Sequence, residues 1–393
     1  MGEAMAQLNC PFCFEAVPLK SLCRRCPEEC GEEPDVELSR FRGQENRTIS
    51  LPKVFTPTTR KKDLCPHGKI AQRTHLCPHC HNDLEYDYVV TAAGSRPIAL
   101  IGASGSGKSV YVGVLVRELK NRVGSAFNGM AVEFVGDASR AHYDQVFRVP
   151  MFERGVTLEM TASIRRSKRL DPLLFTLKFP GAARRWSDRM AIAMMVFLDT
   201  SGEDVLEARF MSRLARYLDA AAGIIMIVDP LQMPNVRDSV STTVYPRGAT
   251  RQVDVLERLG ALLREQRKLG PGKRVDTPLA VVLSKIDTLT DILPDQSSLR
   301  RQAEHAGYYD EADGQLVHEE VRAWIQKWYG EGFIDSIEAS FSVYRFFGMS
   351  ALGTAPPAEG RISPSGIRPL RVEDPMLWLL NRFGFVRPGE AKI

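Results

Sequence analysis

Eight consecutive residues, Gly102-Ala103-Ser104-Gly105-Ser106-Gly107-Lys108-Ser109, spell G-x-x-x-x-G-K-S. Glycines at these positions let backbone N–H groups wrap a phosphate chain, and the dipole of a following helix favours the negative charge. Lys108 is expected to reach the β- and γ-phosphates, and the Ser109 hydroxyl to bind Mg²⁺. The whole set Gly102, Ser104, Gly105, Ser106, Gly107, Lys108, Ser109 and Val110 is therefore assigned to nucleotide binding. A second pattern, Asp199-Thr200-Ser201-Gly202-Glu203, follows the apolar run Ala191–Leu198. An acid at a strand tip can hold Mg²⁺, and a glycine three residues on lets its N–H approach the γ-phosphate. A third, Ser284-Lys285-Ile286-Asp287, follows Leu279–Leu283. A carboxylate at Asp287 can accept two hydrogen bonds from the guanine ring N–H and amine, a pair that adenine does not offer. The Lys285 stem would lie over the base. In the fourth, Ser350-Ala351-Leu352 after the run ending at Met349, a backbone N–H would meet the guanine O6.

A separate chemistry is written before residue 81, where all 8 cysteines lie. Cys10-Pro11-Phe12-Cys13 and Cys77-Pro78-His79-Cys80 are two C-P-x-C knuckles, each placing two thiolates on one tight turn. Clustered pairs of this kind suggest metal rather than disulfides. Two tetrahedral zinc sites need eight ligands, and the preferred set is Cys10, Cys13, Cys26, Cys30, Cys65, His67, Cys77 and Cys80. Cys23 is the spare, although Cys23–Cys26 is also C-x-x-C, so the choice between Cys23 and Cys30 stays open. His81 is a further available donor. The pairing of ligands cannot be read from spacing; the first knuckle could pair with the last. The segment has too few large apolar residues for its own core, so metal must supply folding energy, in structural sites. Residues 32–63 read as a polar loop between ligand groups.

These residues need elements to hold them. After a linker at about 81–96, apolar strand-sized runs alternate with helical stretches, the pattern of a parallel sheet wrapped by helices. Expected strands are Pro97–Ile101, Asp171–Phe179, Ala191–Leu198, Gly223–Val228, Leu279–Leu283 and Tyr344–Met349. Expected helices are Val110–Val123, Asp204–Asp219, Val253–Leu269, Leu316–Tyr329 and Pro375–Phe383. Ligands in such sheets bind at the carboxyl ends of the strands, where all four motifs fall. The reading is an α/β fold: a doubly wound, mainly parallel sheet of the P-loop NTPase type at 95–385, preceded by a small zinc-ribbon-like module at 1–90.

With 393 residues, 44% hydrophobic and 25% charged, the chain has ordinary globular composition. A net charge of +4 does not call for nucleic acid or an anionic membrane as partner. No apolar run reaches the roughly 20 residues of a membrane span. Met1 to Asn9 lacks a basic region followed by an apolar stretch, so a cytoplasmic location is expected.

In this order the four motifs resemble those of the Ras-like P-loop GTPases of the translation-factor-related class. Joined to the cysteine module, they look like the bacterial double-GTPase family of the second type. The resemblance implies a GTP-binding and GTP-hydrolysing switch that uses Mg²⁺ and acts in bacterial conflict or signalling systems. Lys108, Gly202 and Glu203 would carry catalysis. Ser109, Asp199 and a switch threonine would arrange Mg²⁺; Thr161 is the choice for that threonine and Thr157 the reserve. Protein partners would meet the switch loops and the zinc module. The chain departs from the family pattern at Glu203, where small GTPases often carry a water-orienting glutamine. A carboxylate there implies slow turnover without a partner. A hydrolysis-poor nucleotide-binding scaffold and a P-loop ATPase of another class are the alternatives.

Overall fold

The computed structural model describes residues 7–44, 47–58, 63–91, 96–103, 105–127, 129–158, 173–180, 190–197, 215–237, 239–240, 252–355 and 360–389. The N-terminal module is built from very short antiparallel pairs. Gln7–Asn9 pairs with Ala16–Pro18, Arg24–Arg25 with Val54–Phe55, Glu32–Pro34 with Ser50–Pro52, and His75–Leu76 with Asp83–Leu84. The stretch read from sequence as a polar loop thus carries strand pairing. It also carries a helix, Val36–Phe41, whose N-cap Asp35 accepts from the Leu38 N–H. The expected linker likewise holds a helix, Tyr86–Thr91.

Next come β1 (Ile98–Gly102), α1 (Lys108–Glu118), β2 (Ala131–Phe134), α2 (Gly136–Tyr143), β3 (Leu173–Pro180) and β4 (Met190–Phe197). Then follow α3 (215–220), β5 (Gly223–Val228), α4 (Gln252–Gln266), β6 (Leu279–Leu283), α5 (Glu311–Tyr329), α6 (Glu331–Ser340), β7 (Tyr344–Gly348) and α7 (Asp374–Arg382). The order β7-β6-β5-β1 is parallel throughout. β2, β3 and β4 form an antiparallel sheet, with β4 close beside β1. Strict βα alternation of a parallel sheet therefore fails here, because β3 pairs antiparallel with both β2 and β4.

Alternation along the strands explains the layering. Ala99, Ile101, Ile224, Met226, Val281 and Leu283 face one core with α4, α5 and α6. Ile98, Leu100, Ile225, Ile227, Ala280 and Val282 face the other, with α1 and α7. β1, β5 and β6 are buried at every position, as apolar runs covered on both faces must be. α1 is rich in β-branched residues, which are mediocre helix formers. Its Tyr111–Val116 stretch is wholly buried, so packing rather than propensity stabilises it. Trp328 and Trp378 are packing residues, and Trp324 stacks on Trp328 at 4.9 Å.

Candidate functional site

Sheet register brings the motifs together. Gly102 lies opposite Ile227, Val228 opposite Leu283, and Leu283 opposite Gly348, so the strands end on one line. The ladder then runs past the strands into the loops. Ser284 N donates to Val228 O at 2.8 Å, Met349 N to Leu283 O at 2.8 Å, and Ile286 N to Met349 O at 3.3 Å.

In the glycine loop, a Cβ on Gly102 would lie 2.6 Å from the Ile227 carbonyl oxygen. Gly107, the N-cap of α1, holds φ +93°, a left-handed conformation that glycine adopts without strain. Lys108 is buried, and its Nζ donates to the Gly102 and Ala103 carbonyls, both at 3.0 Å. The Ser106 Oγ is buried without a hydrogen-bond partner among the described residues. Val110 packs against the core beneath the loop.

The base-side motifs are tied to this loop. Ser284 Oγ donates to Ser106 O at 3.0 Å. Lys285, with φ +54°, donates through Nζ to Gly105 O at 3.2 Å and to Asp229 Oδ2 at 2.6 Å. Asp229 is fully buried, and its Oδ1 also accepts from Leu231 N at 2.9 Å. Sequence reasoning missed this role; an acid directly after the buried strand β5 was the available signal. Asp287 and Ser350 line one cavity of about 610 Å³ together with Arg122, Thr290, Leu299 and Leu370. Burial pushes the Asp287 carboxyl above its usual range, against the opposing pull of a Ser350 hydrogen bond and the Lys285 charge. In the Ser350–Gly353 loop, Ser350 N donates to Leu370 O and Gly353 N to Ser350 Oγ. The Ala351 and Leu352 N–H groups have no acceptor among the described residues.

Ser104, Thr161, Asp199, Gly202, Glu203 and the basic run 165–169 lie outside the described residues. The reserve threonine, Thr157, donates its N–H to Gly360 O at 2.8 Å.

Two cysteine clusters form in the N-terminal module. Cys10, Cys13, Cys77 and Cys80 are one; Cys26, Cys30, Cys65 and His67 are the other; the donor atoms within each lie inside 4.8 Å of one another. Sγ–Sγ distances are 3.7 Å for Cys10–Cys80, 3.7 Å for Cys13–Cys77 and 3.9 Å for Cys30–Cys65. A tetrahedron with Zn–S bonds of about 2.3 Å has edges of about 3.8 Å. The donor sets therefore fit zinc in spacing and chemistry, and they are too open for disulfides. The two knuckles repeat each other. Phe12 N and His79 N donate to the first sulfur of each turn at 3.4 Å, and Phe14 and His81, next after each second cysteine, both have positive φ. Burial pushes the Cys10 thiol up, while hydrogen bonds from Cys10, Cys13 and Cys77 hold Cys80 low. Cys23 belongs to neither cluster; its Sγ lies 3.5 Å from Thr56 Oγ1 and 3.6 Å from Ser21 O. His81 turns to Asp35, 2.7 Å away, and Asp35 also pairs with Arg25 at 3.0 Å.

The first cluster is fastened to the sheet domain through α3. Arg216 Nε donates to Cys13 O at 3.1 Å and its guanidinium pairs with Glu15 at 3.2 Å. Phe14 packs on Tyr217 with ring centroids 5.0 Å apart. The Tyr217 hydroxyl accepts from Leu100 N in β1 at 3.0 Å.

The sequence pattern of the Double-GTPase 2 family matches residues 96–357. SaeC of Mycolicibacterium smegmatis, whose name describes an ESX-1 scaffolding and assembly protein, is 28% identical over 336 residues, 80% of this chain and 81% of that protein. Among solved structures, the GTP-bound GTPase-like domain of S. cerevisiae Ski7 is 12% identical with a TM-score of 0.33. That match covers 74% of this chain and 50% of the other, so the chain spans about half of it. The Arl6 small GTPase of Trypanosoma brucei is 14% identical with a TM-score of 0.27, over 74% of this chain and 97% of that one. The family match spans more than half of the chain, which belongs to the Double-GTPase 2 family.

Proposed function

We propose that this Double-GTPase 2 chain is a Mg²⁺-dependent switch that binds and hydrolyses GTP. The observation that carries the reading is the joint placement of the glycine loop, Ser284–Asp287 and Ser350–Leu352 at aligned strand ends, with Lys285 tied to Gly105. A triphosphate would lie on the loop and on the N-terminus of α1, where Lys108 exchanges the Gly102 and Ala103 carbonyls for phosphate oxygens. Asp287 accepts from the guanine ring, and the Ala351 or Leu352 N–H is available for its O6. Ser109 and Asp199, with Thr161, would hold Mg²⁺, which neutralises charge on the transferring phosphoryl group. Gly202 would sense the γ-phosphate and Glu203 would position water, slowly without a partner protein.

Zinc in the two cysteine clusters has a structural role: four protein donors close each tetrahedron and leave no open position. The units are a metal module at 1–90 and a GTPase domain at 95–385, placed in the cytoplasm. Their partners are proteins of a bacterial conflict or signalling system, met through the switch loops and the module. A hydrolysis-poor scaffold is the second reading, favoured by the acid at Glu203. Single-turnover phosphate release separates the two. Release of one phosphate per bound GTP supports the switch, and none, even with cell extract added, supports the scaffold.

A further inference from the structure

Beyond the motifs, Glu118, Arg122, Arg300 and Arg368 also line the cavity that holds Asp287 and Ser350, and among the described residues Arg122 is the cation there that a buried carboxylate holds. Arg122 lies one turn past α1, with its side chain 43% exposed. Two carboxylates hold it: Glu118 Oε2 accepts from Nε at 3.2 Å, and Glu373 Oε1 accepts from a terminal nitrogen. Glu373 is an unusual partner, because its side chain is 1% exposed and its Oε2 has no hydrogen-bond partner among the described residues. Gln302 donates to the same Oε1 at 2.7 Å and accepts from Arg371 N at 3.1 Å. Arg371, wholly buried, is bound in turn by Asp313, Asp374 and the carbonyls of Ser298 and Arg301. Burying a carboxylate is costly. Here the buried network fixes a half-exposed guanidinium at the wall of the cavity, and simultaneously anchors the segment that pairs with the Ser350 loop.

The geometry points to Arg122 as a base-binding residue: its planar guanidinium stacks on the purine ring of the guanine nucleotide, and Glu373 is the positioning residue that sets its plane. The inference rests on the guanine-nucleotide reading of this cavity. A planar, weakly hydrated cation suits an aromatic face, where the ammonium of lysine offers only a point charge. Stacking does not distinguish purines, so Arg122 adds affinity while Asp287 supplies discrimination.

Isothermal titration of the zinc-loaded full chain with GDP, ADP and inorganic triphosphate tests this. Arg122→Ala is expected to weaken GDP by about tenfold, the scale of one stacked base. The GDP-to-ADP ratio and triphosphate binding stay unchanged. Arg122→Lys is weakened nearly as much, and Glu373→Gln weakens GDP less than Arg122→Ala does and adds nothing on top of it. GDP binding by Arg122→Ala within twofold of the parent, or a parallel loss of triphosphate, overturns the inference. Failure of the parent protein to bind GDP at all instead defeats the guanine reading beneath it.

Discussion

The parallel sheet and the metal module solve the same problem, placing polar side chains, by opposite means. In the sheet, buried strands set register, and motifs fall into line because each begins one residue past an apolar run. In the module the strands are two or three residues long, and donors such as Cys10 and Cys80 come from positions far apart in the chain. Its apolar residues, among them Leu8, Phe14, Val17 and Leu84, are continuous with the core beneath the sheet. On the proposed reading the sheet carries its own folding energy, whereas the module would depend on a metal held by its two donor clusters. The two clusters differ in the same way: all four donors of the first are buried, whereas Cys30 is half-buried and His67 exposed in the second.

Removing the metal is the largest perturbation that distinguishes these regions. Zinc binding can supply on the order of 10 kcal/mol to a small fold. Chelation should release two zinc ions per chain and abolish amide exchange protection over residues 7–84, while β5 and β6 stay protected. Equal loss of protection in both regions would erase the contrast. A finer cut compares two cysteines. Cys30→Ser should lower the zinc content by one ion, and Cys23→Ser should leave it unchanged, as read by metal analysis of the purified proteins.

The seam is sharpened by Tyr217→Phe, which leaves the ring on Phe14 but strips the acceptor from the buried Leu100 N–H. A loss of about 1–3 kcal/mol in denaturant unfolding is expected. An unchanged midpoint would mean that the tie between α3, which carries the module, and β1 adds nothing to stability. The smallest effect is protonic. Burial raises the Asp287 pKa, and guanine recognition needs its ionised form. Lowering the pH through that raised value should therefore weaken GDP binding. By the same sign, protonation relieves the buried charge, so this group stabilises the folded state as pH falls. The pH dependence should vanish in Asp287→Asn; its persistence would assign it to another group.

What could be read from sequence follows the same division. β5 and β6 begin and end where their apolar runs do, since strands buried on both faces leave an unbroken hydrophobic signature. The eight clustered donors were legible as types, but their partition was not, because a tetrahedron constrains space rather than spacing. Residues 32–63 read as loop because Glu32–Pro34 and Ser50–Pro52 are too short and polar to show a period. Ala131–Phe134 escaped notice for a related reason: its alternation is half-exposed and only four residues long. Asp229 carried only the weak signal of an acid directly after β5, and the pairing of Arg122 with Glu373 carried none, because the two are 251 positions apart in the chain.

The central claim is that Asp287 reads guanine above a phosphate loop, and calorimetry with magnesium tests it directly. The zinc-loaded protein should bind GTP at least about 100-fold more tightly than ATP, with that preference lost in Asp287→Asn. Equal affinity for the two nucleotides, or a preference untouched by Asp287→Asn, would contradict it.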